Sequence, residues 1–177
     1  MDVVPETREA RELVICFVDL SVYTLDTRRA ADDAAVADIM DRYYERLDHA
    51  VVGAGGRVVK FIGDGALFVF PPERADAAVV SLMALKSEID AWLGATRWES
   101  HLVVKLHCGT VIAGPFGGRE AKRFDLLGDA VNVTARLPTR SFAMSPQVFR
   151  LLSPEIRKRL KKHTPPITYI PVEDRHP

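Results

Sequence analysis

The 177-residue chain carries 24 Lys+Arg against 24 Asp+Glu and is 47% hydrophobic and 27% charged. Its length suits one domain with a real core and is short for two. A net charge of zero provides no basic field to gather nucleic acid or an anionic membrane, so partners must be recognised by a site.

The apolar run at 13–20 is interrupted by Asp19 and falls far below the roughly 20 residues of a membrane span. The start, Met-Asp-Val-Val-Pro-Glu-Thr-Arg-Glu, mixes charges and lacks the basic, apolar and small-residue order of a secretory signal, so a cytoplasmic chain is expected. Cys16 and Cys108 lie inside apolar runs without CxxC or Cys/His spacing, which predicts buried free thiols rather than a disulfide or a zinc site.

In chain order, the β-prone run at 13–18 predicts a buried strand. Val36, Ile39, Met40, Tyr43, Leu47, Ala50 and Val51 recur at helical spacing and predict a long helix over 31–52, stopped by the glycines from Gly53 onward. Runs at 57–62 and 66–70, joined by Gly63-Asp64-Gly65, predict a tight hairpin with Asp64 at its tip. Pro71-Pro72 ends that hairpin, and a second amphipathic helix is expected over 75–93. A strand at 101–111, a glycine-rich connection at 114–121 and a short helix at 129–137 come next. Short helices at 146–152 and 154–160 and a strand at 167–172 complete the pattern. The order β-α-β-β-α-β predicts an α+β fold with a ferredoxin-like core and additional C-terminal αβ elements. Residues 1–12 are expected to be an N-terminal extension and 13–177 one domain, with no interdomain linker.

An aspartate that ends an apolar strand, as Asp19 does, is costly unless it is capped, hydrogen-bonded or bound to a cation. Taken one at a time, Asp19 reads better as a turn cap and Asp64 as a turn former. Lys60 alone suits an exposed strand face, and Asn132 with Arg136, four residues apart, suits the wet side of a short helix.

Four segments in order change that balance: Phe-Val-Asp-Leu-Ser-Val-Tyr-Thr (17–24), Val-Lys-Phe-Ile-Gly-Asp-Gly (59–65), Leu-His-Cys-Gly-Thr-Val-Ile-Ala-Gly (106–114) and Phe-Asp-Leu-Leu-Gly-Asp-Ala-Val-Asn-Val-Thr-Ala-Arg (124–136). Together they closely resemble the catalytic domain of class III nucleotidyl cyclases, over nearly the whole chain.

The resemblance implies an adenylate cyclase that converts ATP to cyclic AMP and pyrophosphate. Asp19 and Asp64, with the backbone carbonyl of Leu20, match the family's metal ligands, and hard carboxylates suit two divalent cations, Mg2+ or Mn2+. Lys60 and Asp125 match the purine-reading pair. A lysine donates to N1 of adenine and a carboxylate accepts from its exocyclic amine, whereas guanine presents mismatched groups. Asn132 matches the residue that orients the ribose, and Arg136 the one that stabilises charge developing on the phosphate. Lys161, near the end of the chain, is the candidate for the family's phosphate-binding lysine. The resemblance further implies a homodimer, the metal aspartates of one chain meeting the asparagine and arginine of its partner.

The chain also departs from the pattern. Val22 stands where the family often has glycine in the phosphate-binding loop, and a β-branched residue resists the left-handed conformation. Pro138 follows Arg136 closely, and the glycines usual around the late lysine are absent. These departures keep two rivals in view, a cyclase homology domain acting as a nucleotide-binding regulatory module and a cyclase of guanylate or mixed specificity. No GGDEF-like run of the diguanylate cyclases occurs.

Overall fold

The computed structural model describes residues 7–30 and 32–174. Helices and strands follow in the order β1 (Glu9–Leu20), α1 (Tyr23–Arg29), α2 (Asp33–Gly53), β2 (Arg57–Ile62), β3 (Gly65–Phe70), α3 (Ala75–Ala95), β4 (Leu102–Gly118), β5 (Ala121–Leu127), α4 (Asp129–Ala135), β6 (Phe142–Met144), α5 (Pro146–Leu151), α6 (Pro154–Arg157), β7 (Leu160–His163) and β8 (Thr168–Pro171). One sheet of eight strands runs β2-β3-β1-β4-β6-β8-β7, with β5 paired to β4. Its first four strands are antiparallel neighbours in the order of a ferredoxin-like βαββαβ unit, and β6 then joins β4 in parallel.

Period-two alternation along β1 decides what each face of the sheet covers. Val14, Cys16, Val18 and Leu20 point to the helical side, where Tyr43, Leu47 and Val51 of α2 and Leu82, Ile89 and Leu93 of α3 complete the larger core. Each of these fully buried side chains contributes on the order of 2 kcal/mol by its removal from water. Leu13, Ile15 and Phe17 point to the second face, where Leu67, Val69, Leu126 and Ala130 form a smaller cluster.

Local chemistry sets the helix limits. The Asp32 carboxylate accepts from the Ala35 N–H at 2.7 Å and caps α2. At its other end Gly55 takes a left-handed φ of 79°, and the Gly55 and Gly56 amides donate back to Val52 and Val51. Cys16 and Cys108 are free and buried. Burial pushes both thiols up, Cys108 to about 11 with a further rise from the Glu12 charge, so neither is an available thiolate.

The structure corrects several sequence expectations. The stretch 114–121 is not a connection: β4 runs on to Gly118 and turns into β5, a strand that the glycines and charges of the segment concealed. The helix expected over 154–160 stops at Arg157, and Leu160 opens β7, because its side chain is buried and its backbone pairs with Pro171. The helix expected over 129–137 stops at Ala135. Helix α1 and the three-residue β6 had no periodic signal, being too short to show one. Strand β1 begins at Glu9, extending the predicted strand in the N-terminal direction.

Candidate active site

Asp19 is the penultimate residue of β1, and Asp64 lies in the turn between β2 and β3. Antiparallel pairing of β1 with β3, with Val18 opposite Ala66, brings the two aspartates to one end of the sheet. The Leu20 N–H donates to Asp64 Oδ2 at 3.2 Å, so Asp19, Leu20 and Asp64 form one group. Gly65 permits this approach: a side chain there would stand 3.2 Å from the Val18 carbonyl oxygen.

Two tyrosines brace the turn. Tyr43 donates to the Asp64 carbonyl at 3.1 Å, and Tyr44 donates to the Gly63 carbonyl at 2.6 Å and stacks on Phe61 with ring centroids 4.3 Å apart. Burial raises the pKa of Tyr43, with further rises from the Asp64 and Asp19 charges; burial, then Asp64, raises that of Tyr23. Both phenols stay neutral beside the carboxylates, and Tyr43 keeps the proton that it donates to the turn. Sequence reasoning spent Tyr43 on the core of α2; its hydroxyl half was not visible to a hydrophobic pattern.

Lys60 and Asp125 come together from elements 65 residues apart. The Lys60 ammonium donates to both oxygens of Asp125, at 2.8 and 2.6 Å, and Asp125 Oδ1 also accepts from the Leu126 N–H at 2.8 Å. The β4–β5 hairpin makes this possible by folding β5 back toward β2, where Arg57 lies over the Phe124 ring, 4.0 Å from its centroid. Both side chains remain partly accessible, 41% and 26% exposed, so another donor or acceptor can compete for them.

Helix α4 lies on the second face and buries Ala130 and Thr134. Asn132 and Arg136 are exposed, and the Arg136 amide closes the helix by donating to the Asn132 carbonyl at 3.1 Å. A side chain at Gly109 would approach Ala130 Cβ to 2.8 Å, so that glycine fixes how closely α4 packs on β4.

Lys161 is not gathered with these groups. It lies on β7, at the edge of the sheet, with β4, β6 and β8 between it and β1, and its ammonium donates to the carbonyls of Val172 at 2.9 Å and Asp174 at 2.5 Å. Val22, exposed at the start of α1, adopts φ 52° and ψ 17°, the left-handed conformation that a valine resists. Lys105 was overlooked: its ammonium stands 3.7 Å from Asp19 Oδ2, and a lysine within the apolar strand run Leu-Val-Val-Lys-Leu was the available signal.

The donor set fits a hard divalent cation, since two carboxylates and a backbone carbonyl offer only oxygen. Among the described residues no group of three or more His, Cys, Asp or Glu side chains is placed to hold a metal ion by itself. No helix among the described residues is long and apolar enough to cross a membrane.

Known proteins resemble this chain in both sequence and fold. The adenylate and guanylate cyclase catalytic domain matches residues 6–167. Adenylate cyclase 2 of Rhizobium meliloti is 30% identical over 172 residues, which cover 92% of this chain and 45% of that protein. The chain thus spans less than half the length of this relative. A bacterial light-regulated adenylyl cyclase superposes with a TM-score of 0.80 at 25% identity, covering 94% of this chain and 53% of the other. The guanylyl cyclase Cya2 shares the fold at a TM-score of 0.76 and 17% identity, covering 91% of each chain. By its match over nearly the whole length and by the fold that carries it, the chain belongs to the adenylate and guanylate cyclase catalytic domain family.

Proposed function

We propose that this domain is an adenylate cyclase that forms 3′,5′-cyclic AMP and pyrophosphate from ATP. The observation that carries the reading is the Lys60–Asp125 pair, a donor and an acceptor held together and still accessible. Adenine offers an acceptor at N1 and a donor at its amine, so the base would replace the direct ion pair with one hydrogen bond to each partner. Guanine places a donor and an acceptor at the corresponding edge and would meet both groups with the wrong polarity.

In the reaction the ribose 3′-oxygen bonds to the α-phosphorus, the bond from that phosphorus to the bridging oxygen breaks so that pyrophosphate leaves with the electron pair, and the 3′-hydroxyl proton passes to solvent. Asp19, Asp64 and the Leu20 carbonyl would hold two divalent cations, Mg2+ or Mn2+. When bound, those ions supply positive charge to the triphosphate and acidify the 3′-hydroxyl. Asn132 orients the ribose. Arg136 donates from a planar guanidinium to phosphate oxygens as charge builds on them. Lys161 would join the phosphate contacts only after releasing the Val172 and Asp174 carbonyls.

A homodimer completes the site in this reading, with Asn132 and Arg136 of one chain serving Asp19 and Asp64 of the other. The exposure of Asn132 and Arg136 supports it, as do the exposed apolar residues Leu127 and Val133 close to Asn132. A regulatory, nucleotide-binding module is the second reading, and Val22 in a left-handed conformation at the phosphate-binding turn is what favours it. Incubation of purified protein with ATP or GTP and Mg2+ or Mn2+, followed by separation of products, tests these readings. Cyclic AMP in excess is expected; cyclic GMP in excess corrects the specificity, and no cyclic nucleotide under any combination overturns the enzyme.

A further inference from the structure

Lys105 stands near the start of β4 between buried neighbours, opposite Phe17 of β1. Pairing fixes its direction: its side chain rises from the same sheet face as Phe17 and Asp19. Only 18% of that side chain is exposed. A cation so enclosed is costly unless paired, and two oxygens meet it. The ammonium donates to the Ala135 carbonyl at 3.2 Å, at the end of α4, and lies 3.7 Å from Asp19 Oδ2.

The second contact has consequences for the metal centre. Asp19 remains 49% exposed, so the lysine does not shut out an ion. Any divalent cation on that carboxylate would nevertheless share it with a fixed positive charge only a few ångströms away. Partial burial of the ammonium limits how far solvent can screen that repulsion. The tie to Ala135 keeps the lysine from swinging freely aside.

Resting on the metal reading of Asp19 and Asp64, we propose that Lys105 is a resident counter-cation of Asp19 that sets the affinity of the metal centre by competing with the divalent ion. It is a positioning residue, acting on the cation through Asp19. The competition holds the aspartate compensated while the metal is absent and makes occupancy depend on high metal concentration or on phosphate oxygens arriving with the ion.

The test reads binding of Mn2+ alone, by electron paramagnetic resonance titration of the 177-residue chain into the millimolar range, without nucleotide. Lys105→Gln removes the charge, and Lys105→Met removes it while keeping the apolar stem packed; thermal unfolding establishes that each is folded. Both are expected to bind Mn2+ about tenfold more tightly than the unaltered chain, a modest part of the repulsion between a single and a double charge about 5 Å apart. Lys105→Arg should bind like the unaltered chain, and adding Asp19→Asn to Lys105→Gln should abolish the gain. Folded Lys105→Gln and Lys105→Met proteins with Asp19-dependent Mn2+ binding that is unchanged or weaker overturn this proposal and leave the metal centre standing. No Asp19-dependent binding in any of the proteins overturns the metal centre together with it.

Discussion

Replacing Asp125 by alanine separates base recognition from fold stability. The carboxylate accepts two bonds from Lys60, at 2.8 and 2.6 Å, and one from the Leu126 amide at 2.8 Å. With 41% of Lys60 and 26% of Asp125 exposed, the pair is screened, and its loss should cost no more than about 1 kcal/mol of stability. In a chain of this size that lowers the Tm by no more than about 4 °C. The catalytic cost should be larger, because a hydrogen bond to a charged acceptor is worth about 1.5–3 kcal/mol. Removing the acceptor for the adenine amine should therefore reduce kcat/KM for ATP by roughly 10- to 150-fold. Turnover of GTP should be unchanged or improved, since a mismatched carboxylate has gone. The assay is competition between ATP and GTP with cyclic products separated chromatographically. A folded Asp125→Ala protein with unaltered preference for ATP would refute the assignment of Asp125 to the base.

Three further outcomes are expected. Asp19→Ala and Arg136→Ala chains, each inactive alone, should recover activity on mixing, because a mixed dimer contains one site with neither substitution; no recovery between folded, exchanging chains counts against shared sites. Val22→Gly removes a left-handed strain of about 1–2 kcal/mol and adds unfolded-state freedom of about 0.5–1 kcal/mol. A net gain near 1 kcal/mol should raise the Tm by about 2–4 °C, and a lower Tm contradicts the strain. Burial holds the pKa of His107 below its ordinary 6.5, with the Asp129 charge pulling it partly back. In the window below 6.5 the unfolded chain binds more protons, so stability falls as pH drops through it. Urea unfolding across that range should show a shallower pH dependence in His107→Gln, and an identical slope would refute the contribution of His107.

Much of the fold was legible because it rests on periodicity. Helices α2 and α3 bury side chains at helical intervals, and the hairpin of β2 and β3 is marked by β-prone runs around Gly63-Asp64-Gly65. Strand β5 escaped because its sequence, Ala-Lys-Arg-Phe-Asp-Leu-Leu, begins with charged residues and its exposed half carries no alternating apolar signal. Strand β7 escaped because Leu-Lys-Lys-His continues an apparent helical pattern, and only pairing with β8 makes it extended. In the candidate site, Asp19, Asp64, Lys60 and Asp125 were picked out by motif, while Tyr43 and Tyr44 were hidden because a tyrosine ring satisfies a core pattern whatever its hydroxyl does.

By itself the sequence determined which residues are candidates for the chemistry, since four motifs in order mark two aspartates, a lysine and aspartate pair, and an asparagine and arginine four residues apart. Tertiary structure alone decided how they meet. Antiparallel pairing of β1 with β3 joins Asp19 to the Asp64 turn, the folding back of β5 delivers Asp125 to Lys60, and strand parity on β4 turns Lys105 toward Asp19. Lys161 is sent instead to the far edge of the sheet, where backbone carbonyls hold it. The reason is physical: strand pairing and register act between segments far apart in sequence, and a one-residue change in register would turn each of these side chains to the opposite face.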